Sequence, residues 1–383
     1  MKRIGALLTA LLMILPVPAP AELDEEEIYI DEWLDLSAED ESNNMVDTDG
    51  TTTITITCTG DFTIGGDNYH HKGGKFYDEL KNKNGNNINF TMANVRDIFK
   101  HDNLTLVNFE GTFTDTKYVP ENKKNNEFLF NISPSYVNVL TDNYIEAVSL
   151  ANNHIMDHGA EGYEDTKNTL AEAGVVFSTQ EDIGEYQVTD KITIAMLSYL
   201  CIDQYGKPAG GYDTFEEKVC ADISQAKKSY PLVIVSFHWG LEPTKSQPSR
   251  GYIPTENQLR LGRMAVDAGA DLIVGNHSHR VQPIEYYNGA YICYSLGNFC
   301  FSGNDKPADM NSMIFQTRFR ITKSGDVSTA GFRIIPIRIT SVKDRNNYTP
   351  TPITDEMKIV GIINTLKENG KDFGVSEYPL EWE

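Results

Sequence analysis

Eight side chains able to hold a cation or move a proton stand at the ends of apolar runs. Asp61 follows TTTITITCTG, Glu110 follows LTLVNF, and Asn152, Asn153 and His154 follow IEAVSLA. His238 ends PLVIVSFH, while His277 and His279 end ADLIVGNHSH. Singly, each has a plain structural explanation: an Asp after a strand caps a turn, and a lone His before Trp239 and Gly240 can be a satisfied core residue. Ligand sites in open α/β sheets form in the crevice beyond the carboxyl ends of the strands, so five successive polar strand ends are read most economically as one convergent site. Imidazole nitrogen and carboxylate oxygen without thiolate suit Zn, Mn, Fe or Ni better than a structural cysteine site. Too few ligands to close around two metals would leave positions open for water and substrate, the arrangement of catalysis.

The elements that must position these residues are legible as alternating β-branched or apolar runs. From Thr51 the pattern reads as a strand feeding a loop at Gly60 and Asp61. Further strands are expected at 104–111, 145–154, 191–200, 231–240, 270–279 and 291–299. Helical patterns lie between them in NVRDIFKHD, SPSYVNVLTDN, GAEGYEDTKNTLAEAGV and PTENQLRLGRMAVDAG, the last with Thr255 placed to cap it. After residue 310 come the strand FRIIPIRIT and a terminal helix around DEMKIVGIINTLKENG. Strands separated by helices of this length give an α/β fold whose sheet is covered on both faces. One folded domain is expected over 51–383.

The chain has 383 residues and a formal charge of −22. Such a surface repels polyanions, which excludes a nucleic-acid binder and disfavours anionic membrane surfaces. Residues 1–21 combine Lys2 and Arg3, an apolar run from Ile4 to Leu15 and the small residues Ala19 and Ala21, the layout of a signal peptide. Export is therefore expected, to the extracellular space or cell surface, with membrane association through an uncleaved segment as the alternative. Segment 22–50 carries thirteen acidic residues and no Lys or Arg, and reads as a disordered acidic linker. The five cysteines do not describe a disulfide scaffold: Cys201 and Cys220 could close a modest loop, or the thiols could be buried as small hydrophobes.

The motifs GDFTIGG, VNFEGT, LANNHIMDHG, FHWGLEP, GNHSH with VQPIE, and YSLGNF run in this order from residue 60 to 299. Together they resemble the poly-γ-glutamate capsule biosynthesis proteins of the CapA/PgsA type, a branch of the calcineurin-like metallophosphoesterase superfamily. The resemblance implies a four-layer sandwich with two central mixed β-sheets flanked by helices, and two divalent transition-metal ions (Mn, Zn or Fe). Asp61, Glu110 and His279 would hold the first, and Glu110, Asn153, His238 and His277 the second. Thr63 stands where the superfamily pattern has a His ligand, so the first site is expected to be the weaker. His154 takes the place of the catalytic non-ligand His, with Asp157 orienting it. Asp157 also stands where it could cap the GAEGYEDT helix. Arg280 and Asn298 are the candidates for substrate contact, and His70, His71 and the following KGGK could line the cleft mouth.

Two functions follow from the resemblance. One is an exported metal-dependent hydrolase with His154 as general acid, acting on a phosphoester or a γ-glutamyl amide polymer. The other is a non-hydrolytic capsule assembly or export component that binds the polyglutamate chain beside membrane capsule-synthesis proteins. No P-loop is present for ATP-driven polymerisation.

Overall fold

The computed structural model describes residues 46–382 except 68, 70–74, 126–127 and 203–210. The signal segment, most of the acidic stretch, His70, His71 and the loop lysine Lys72 lie outside the described residues. In chain order the strands are β1 (Thr52–Thr63), β2 (Gly66–Asp67), β3 (Leu104–Phe109), β4 (Thr112–Phe113), β5 (Phe130–Ile132), β6 (Ala147–Ser149), β7 (Val176–Ser178), β8 (Gly184–Thr189), β9 (Ile192–Ile202), β10 (Leu232–Gly240), β11 (Leu272–Asn276), β12 (Ile284–Tyr287), β13 (Ala290–Cys293), β14 (Asn298–Phe301), β15 (Asn311–Ile321), β16 (Val327–Arg338) and β17 (Thr351–Pro352). The helices are α1 (Arg96–Lys100), α2 (Asn138–Thr141), α3 (Gly159–Ala173), α4 (Gly211–Lys227), α5 (Glu256–Asp267) and α6 (Glu356–Asn369).

Two mixed sheets carry the fold. One has the order β17-β16-β15-β1-β3-β6-β7, with β14 also paired to β1, and the other β12-β13-β11-β10-β9-β8. In the first, β1, β3, β6 and β7 pair in parallel out to one edge and β15, β16 and β17 continue antiparallel to the other; in the second, parallel strands occupy the middle and β12 and β8 pair antiparallel at the two edges. Alternation along the strands explains the layering. Ile54, Ile56 and Cys58 of β1 meet Ile194, Met196, Leu232 and Ile234 of the second sheet in one core between the sheets. The alternate residues Ala195, Leu197, Val233 and Val235 face away and are covered by Phe215, Val219 and Ile223 of α4 and Leu261 and Ala265 of α5. On the first sheet's outer side, α3 rests against β4 and β7, and Phe99 of α1 packs on Phe299. Ile359, Ile362 and Leu366 of α6 join the inter-sheet core. The expected α/β sandwich of two central mixed sheets is therefore present.

Local sequence accounts for the helix that leads into β11. Thr255 accepts from Gln258 N while the Gln258 side chain answers the Thr255 N–H, a capping box that satisfies two otherwise orphaned donors. The IEAVSLANNH run forms a strand over only three residues, Ala147–Ser149, because its polar end turns away to build the site. Helix α4 and the small sheet β2-β5-β4 were not visible as patterns. Cys201 on β9 and Cys220 on α4 are free thiols, as are Cys58, Cys293 and Cys300, so the candidate bridge gives way to the buried-thiol alternative, Cys220 being half-buried.

A half-buried carboxylate away from the centre also has a displaced pKa. Glu146 precedes β6 and accepts the Thr105 N–H at 2.8 Å, yet burial pushes its pKa up to about 7. Between about pH 4.5 and 7 the folded chain holds a proton that the unfolded chain has lost, so this group's contribution to stability falls as pH rises through that window. Glu146→Gln keeps the acceptor for Thr105. It should raise stability at pH 8 by up to about 3 kcal/mol and have little effect at pH 4, as read by denaturant midpoints. A gain that is equal at both pH values would contradict the assignment.

Candidate metal centre

The two sheets bring their carboxyl ends together. In the first, Asp61 of β1 lies opposite Asn108 of β3 and Asn298 of β14. In the second, His238 of β10 lies opposite Asn276, after which the chain turns through His277 and His279. Both histidines have positive φ, 93° and 53°, conformations that cost roughly 1–3 kcal/mol each in a non-glycine residue. Hydrogen bonds secure the turn. The His277 N–H points at both Asp61 carboxylate oxygens at 3.3 Å, and His279 Nδ1 lies 3.0 Å from Asp61 Oδ2 and 2.9 Å from Asn298 Oδ1. Asn108 Nδ2 joins the sheets, lying 2.9 Å from Asp61 Oδ1 and 3.2 Å from His238 Nδ1.

All six proposed ligands converge here. Around His238 Nε2 stand Asn153 Oδ1 at 2.7 Å, His277 Nδ1 at 3.1 Å and Glu110 Oε1 at 3.7 Å. Beside them Asp61, Glu110 and His279 offer ligand atoms within 4.8 Å of one another. Glu110 is common to both groups. It is fully buried, and neither of its carboxylate oxygens has a hydrogen-bond partner among the described residues. A carboxylate in that state is costly unless a cation completes it. The electrostatics agree: burial and then the neighbouring Asp61 push the Glu110 pKa up to about 8. His238 and His277 are held neutral, well below the usual imidazole range, first by burial and then by neighbouring positive groups. Burial opposes the charge on His279, but Glu110 and Asp61 outweigh it and lift its pKa to about 10. The donor set thus fits one or two divalent ions of the borderline class. The triad of Asp61, Glu110 and His279 is the site expected to be the weaker. Thr63 is buried nearby in sequence, and its hydroxyl lacks a partner.

His154 and Asp157 form a second layer. His154 Nδ1 lies 2.7 Å from Asp157 Oδ2, and Nε2 faces Glu110 Oε1 at 3.8 Å. Asp157 also accepts the Phe130 N–H at 2.9 Å and the Lys123 ammonium at 3.0 Å. Lys123 bonds the Asn153 carbonyl as well, tying a proposed ligand to the dyad. Burial works against a charged His154, but Asp157 more than compensates and its pKa is raised. Asp157 does not cap α3; the residue at that position is His158, which makes no side-chain cap bond. Arg280 is nearly buried, with Nη1 on the His279 carbonyl at 2.7 Å and its guanidinium over Tyr252. Asn108 and Lys123 escaped the sequence reading: the first is an ordinary strand-interior residue and the second one of several loop lysines.

The family model for the bacterial capsule synthesis protein PGA_cap matches residues 55–303. That span runs from inside β1 to just past β14 and includes every residue of the centre. The chain belongs to this capsule synthesis family. It is 32% identical over 288 residues to the PGA biosynthesis protein CapA of Bacillus subtilis, covering 72% of this chain and 70% of that protein. It is 28% identical over 323 residues to the capsule biosynthesis protein CapA of Bacillus anthracis, covering 79% and 70%. A putative 5'-nucleotidase from Staphylococcus aureus, solved in complex with α-ketoglutarate, aligns with a TM-score of 0.39 at 11% identity over 83% of this chain, which spans 58% of that structure's length. Within the capsule synthesis domain no helix among the described residues is long and apolar enough to cross a membrane.

Proposed function

We propose that this capsule synthesis family member is an exported metal-dependent hydrolase that acts at the cell surface on an anionic substrate, a phosphoester or a γ-glutamyl amide polymer, beside membrane capsule-synthesis proteins. The observation that carries the reading is Glu110, a buried carboxylate whose oxygens have no hydrogen-bond partner among the described residues, at the meeting point of Asp61, Asn153, His238, His277 and His279. Two divalent ions such as Mn, Zn or Fe, when held by these residues, supply Lewis acidity and a nucleophile at neutral pH. The protein's own contribution is proton control. Asp157 fixes Nδ1 of His154 and favours its charged form, leaving Nε2 aimed at the centre as the acid for a leaving group. The Phe130 ring, 4.7 Å from the imidazole, shields the pair from water.

Asn153→Ala and His238→Ala should lower the metal content of the purified protein after dialysis. His154→Ala should keep its metal and lose about 100-fold or more in turnover of a chromogenic phosphodiester or of polyglutamate with Mn or Zn added. Equal metal loss in all three variants would remove the separate role of His154. Bound metal without turnover of either substrate would favour a non-hydrolytic component that holds the polymer, consistent with relatives named for biosynthesis.

A further inference from the structure

The loop from β10 to α5 runs beside the His277 to Arg280 segment and carries charges that the proton chemistry does not use. Its Glu242 lies 3.7 Å from His277 Nε2. Farther on, residues Arg250–Tyr252 form a 3-10 turn seated on the His277 to Arg280 segment. The seat is tight: a Cβ on the buried Gly251 would lie 2.9 Å from the Ser278 carbonyl oxygen and 3.0 Å from Arg280 Cγ. Gln282 Nε2 bonds the Gly251 carbonyl at 2.8 Å, and Arg280 stacks on Tyr252. The turn is therefore fixed against the residues that carry two proposed ligands.

Arg250 is half-buried on this turn, and its Nε is buried without an acceptor. Among the described residues it forms no salt bridge, although acidic residues outnumber basic ones 55 to 33 in the chain. Its turn lies against the segment that carries His277 and His279, with Gly251 packed on the Ser278 carbonyl. The Arg280 guanidinium also has a buried Nε without an acceptor, but its Nη1 is engaged with the His279 carbonyl and it lies over Tyr252. A guanidinium fork offers paired donors that match carboxylate or phosphate oxygens, and a partly desolvated one without a partner is completed by such a group.

We propose that Arg250 is the oxyanion-binding residue of the substrate site, receiving a carboxylate or phosphate group of the molecule bound at the centre while Arg280 braces the turn beneath it. The inference rests on the proposed metal centre for the position of that molecule, and deepens it by naming the group recognised. A carboxylate-bearing chain and a phosphoester share this chemistry.

The test is calorimetric titration of inorganic phosphate and, separately, of glutarate into the metal-loaded protein, with metal content measured on the same samples. Arg250→Gln should keep its metal and weaken binding of the preferred anion about tenfold or more, equivalent to roughly 1.4 kcal/mol. Arg250→Lys should recover part of the loss, because the charge returns without the planar fork, and it serves as the reading if the Gln variant does not fold. Tighter phosphate binding by the parent names a phosphoester, and tighter glutarate binding names a carboxylate chain. Metal-bearing variants that bind both anions within twofold of the parent would overturn the assignment of Arg250 and leave the metal centre standing. A parent that takes up no metal would remove the metal centre instead, with the anion titrations still read variant against parent.

Discussion

Glu110→Gln should abolish the stabilisation that Mn or Zn gives the protein while leaving the metal-free protein at least as stable as the parent. The reasoning starts from the two carboxylate oxygens, buried and without hydrogen-bond partners, beside a second buried carboxylate on Asp61. Without a cation the Glu110 charge is a burden on the fold, so the neutral isostere removes a cost and no bond. A cation at either group of donors would draw on the same charge, so its loss would weaken both. At a hundredfold excess over the dissociation constant, a ligand confined to the folded state adds about 2.7 kcal/mol. The variant should show almost none of that rise in a denaturant melt, and its dialysed metal content should fall sharply. A structural ion-pair role predicts the reverse pattern, with Glu110→Gln less stable in EDTA and unchanged in its response to metal.

The strands and the ligand types were legible for one reason. A parallel sheet buried on both faces needs continuous apolar runs, so the polar residue that ends each run stands out, and the topology places those ends on one edge. Asp61, Glu110, His238 and His277 were visible on that ground alone. Partners that reach the site from elsewhere gave no such signal. Lys123 meets Asp157 across 34 positions from a loop rich in lysine and asparagine. Arg250 stands on a turn packed against Ser278 and Arg280, a seat that depends on the missing side chain at Gly251. Asn108 looks like any polar residue on an alternating strand, and only the register between β1 and β3 puts its amide between Asp61 and His238. The small sheet was hidden because its strands have two or three residues, too few to show a period.

Gly60→Ala should cost about 3 kcal/mol of stability and most of the bound metal, although the substitution touches no ligand. At this position a Cβ would overlap the Gly297 carbonyl oxygen, the acceptor of the Asp61 N–H at 2.9 Å. That bond holds β1 against the turn into β14, where Gly297 itself has φ of 82° and Asn298 reaches His279. The obstacle is backbone on both sides, so no side-chain rotation relieves it. Separating the two segments moves Asp61 relative to His277 and His279 and opens the triad it forms with Glu110. Gly361→Ala provides the contrast, because it lies inside α6 and a Cβ there meets nothing within 4 Å. Helix propensity alone should then act, stabilising by up to about 1 kcal/mol with metal content unchanged. Denaturant midpoints and metal analysis of the two variants separate a close approach that shapes the centre from ordinary glycine flexibility. A Gly60→Ala protein that keeps both its midpoint and its metal would show that the β1 to β14 contact does not set the position of Asp61.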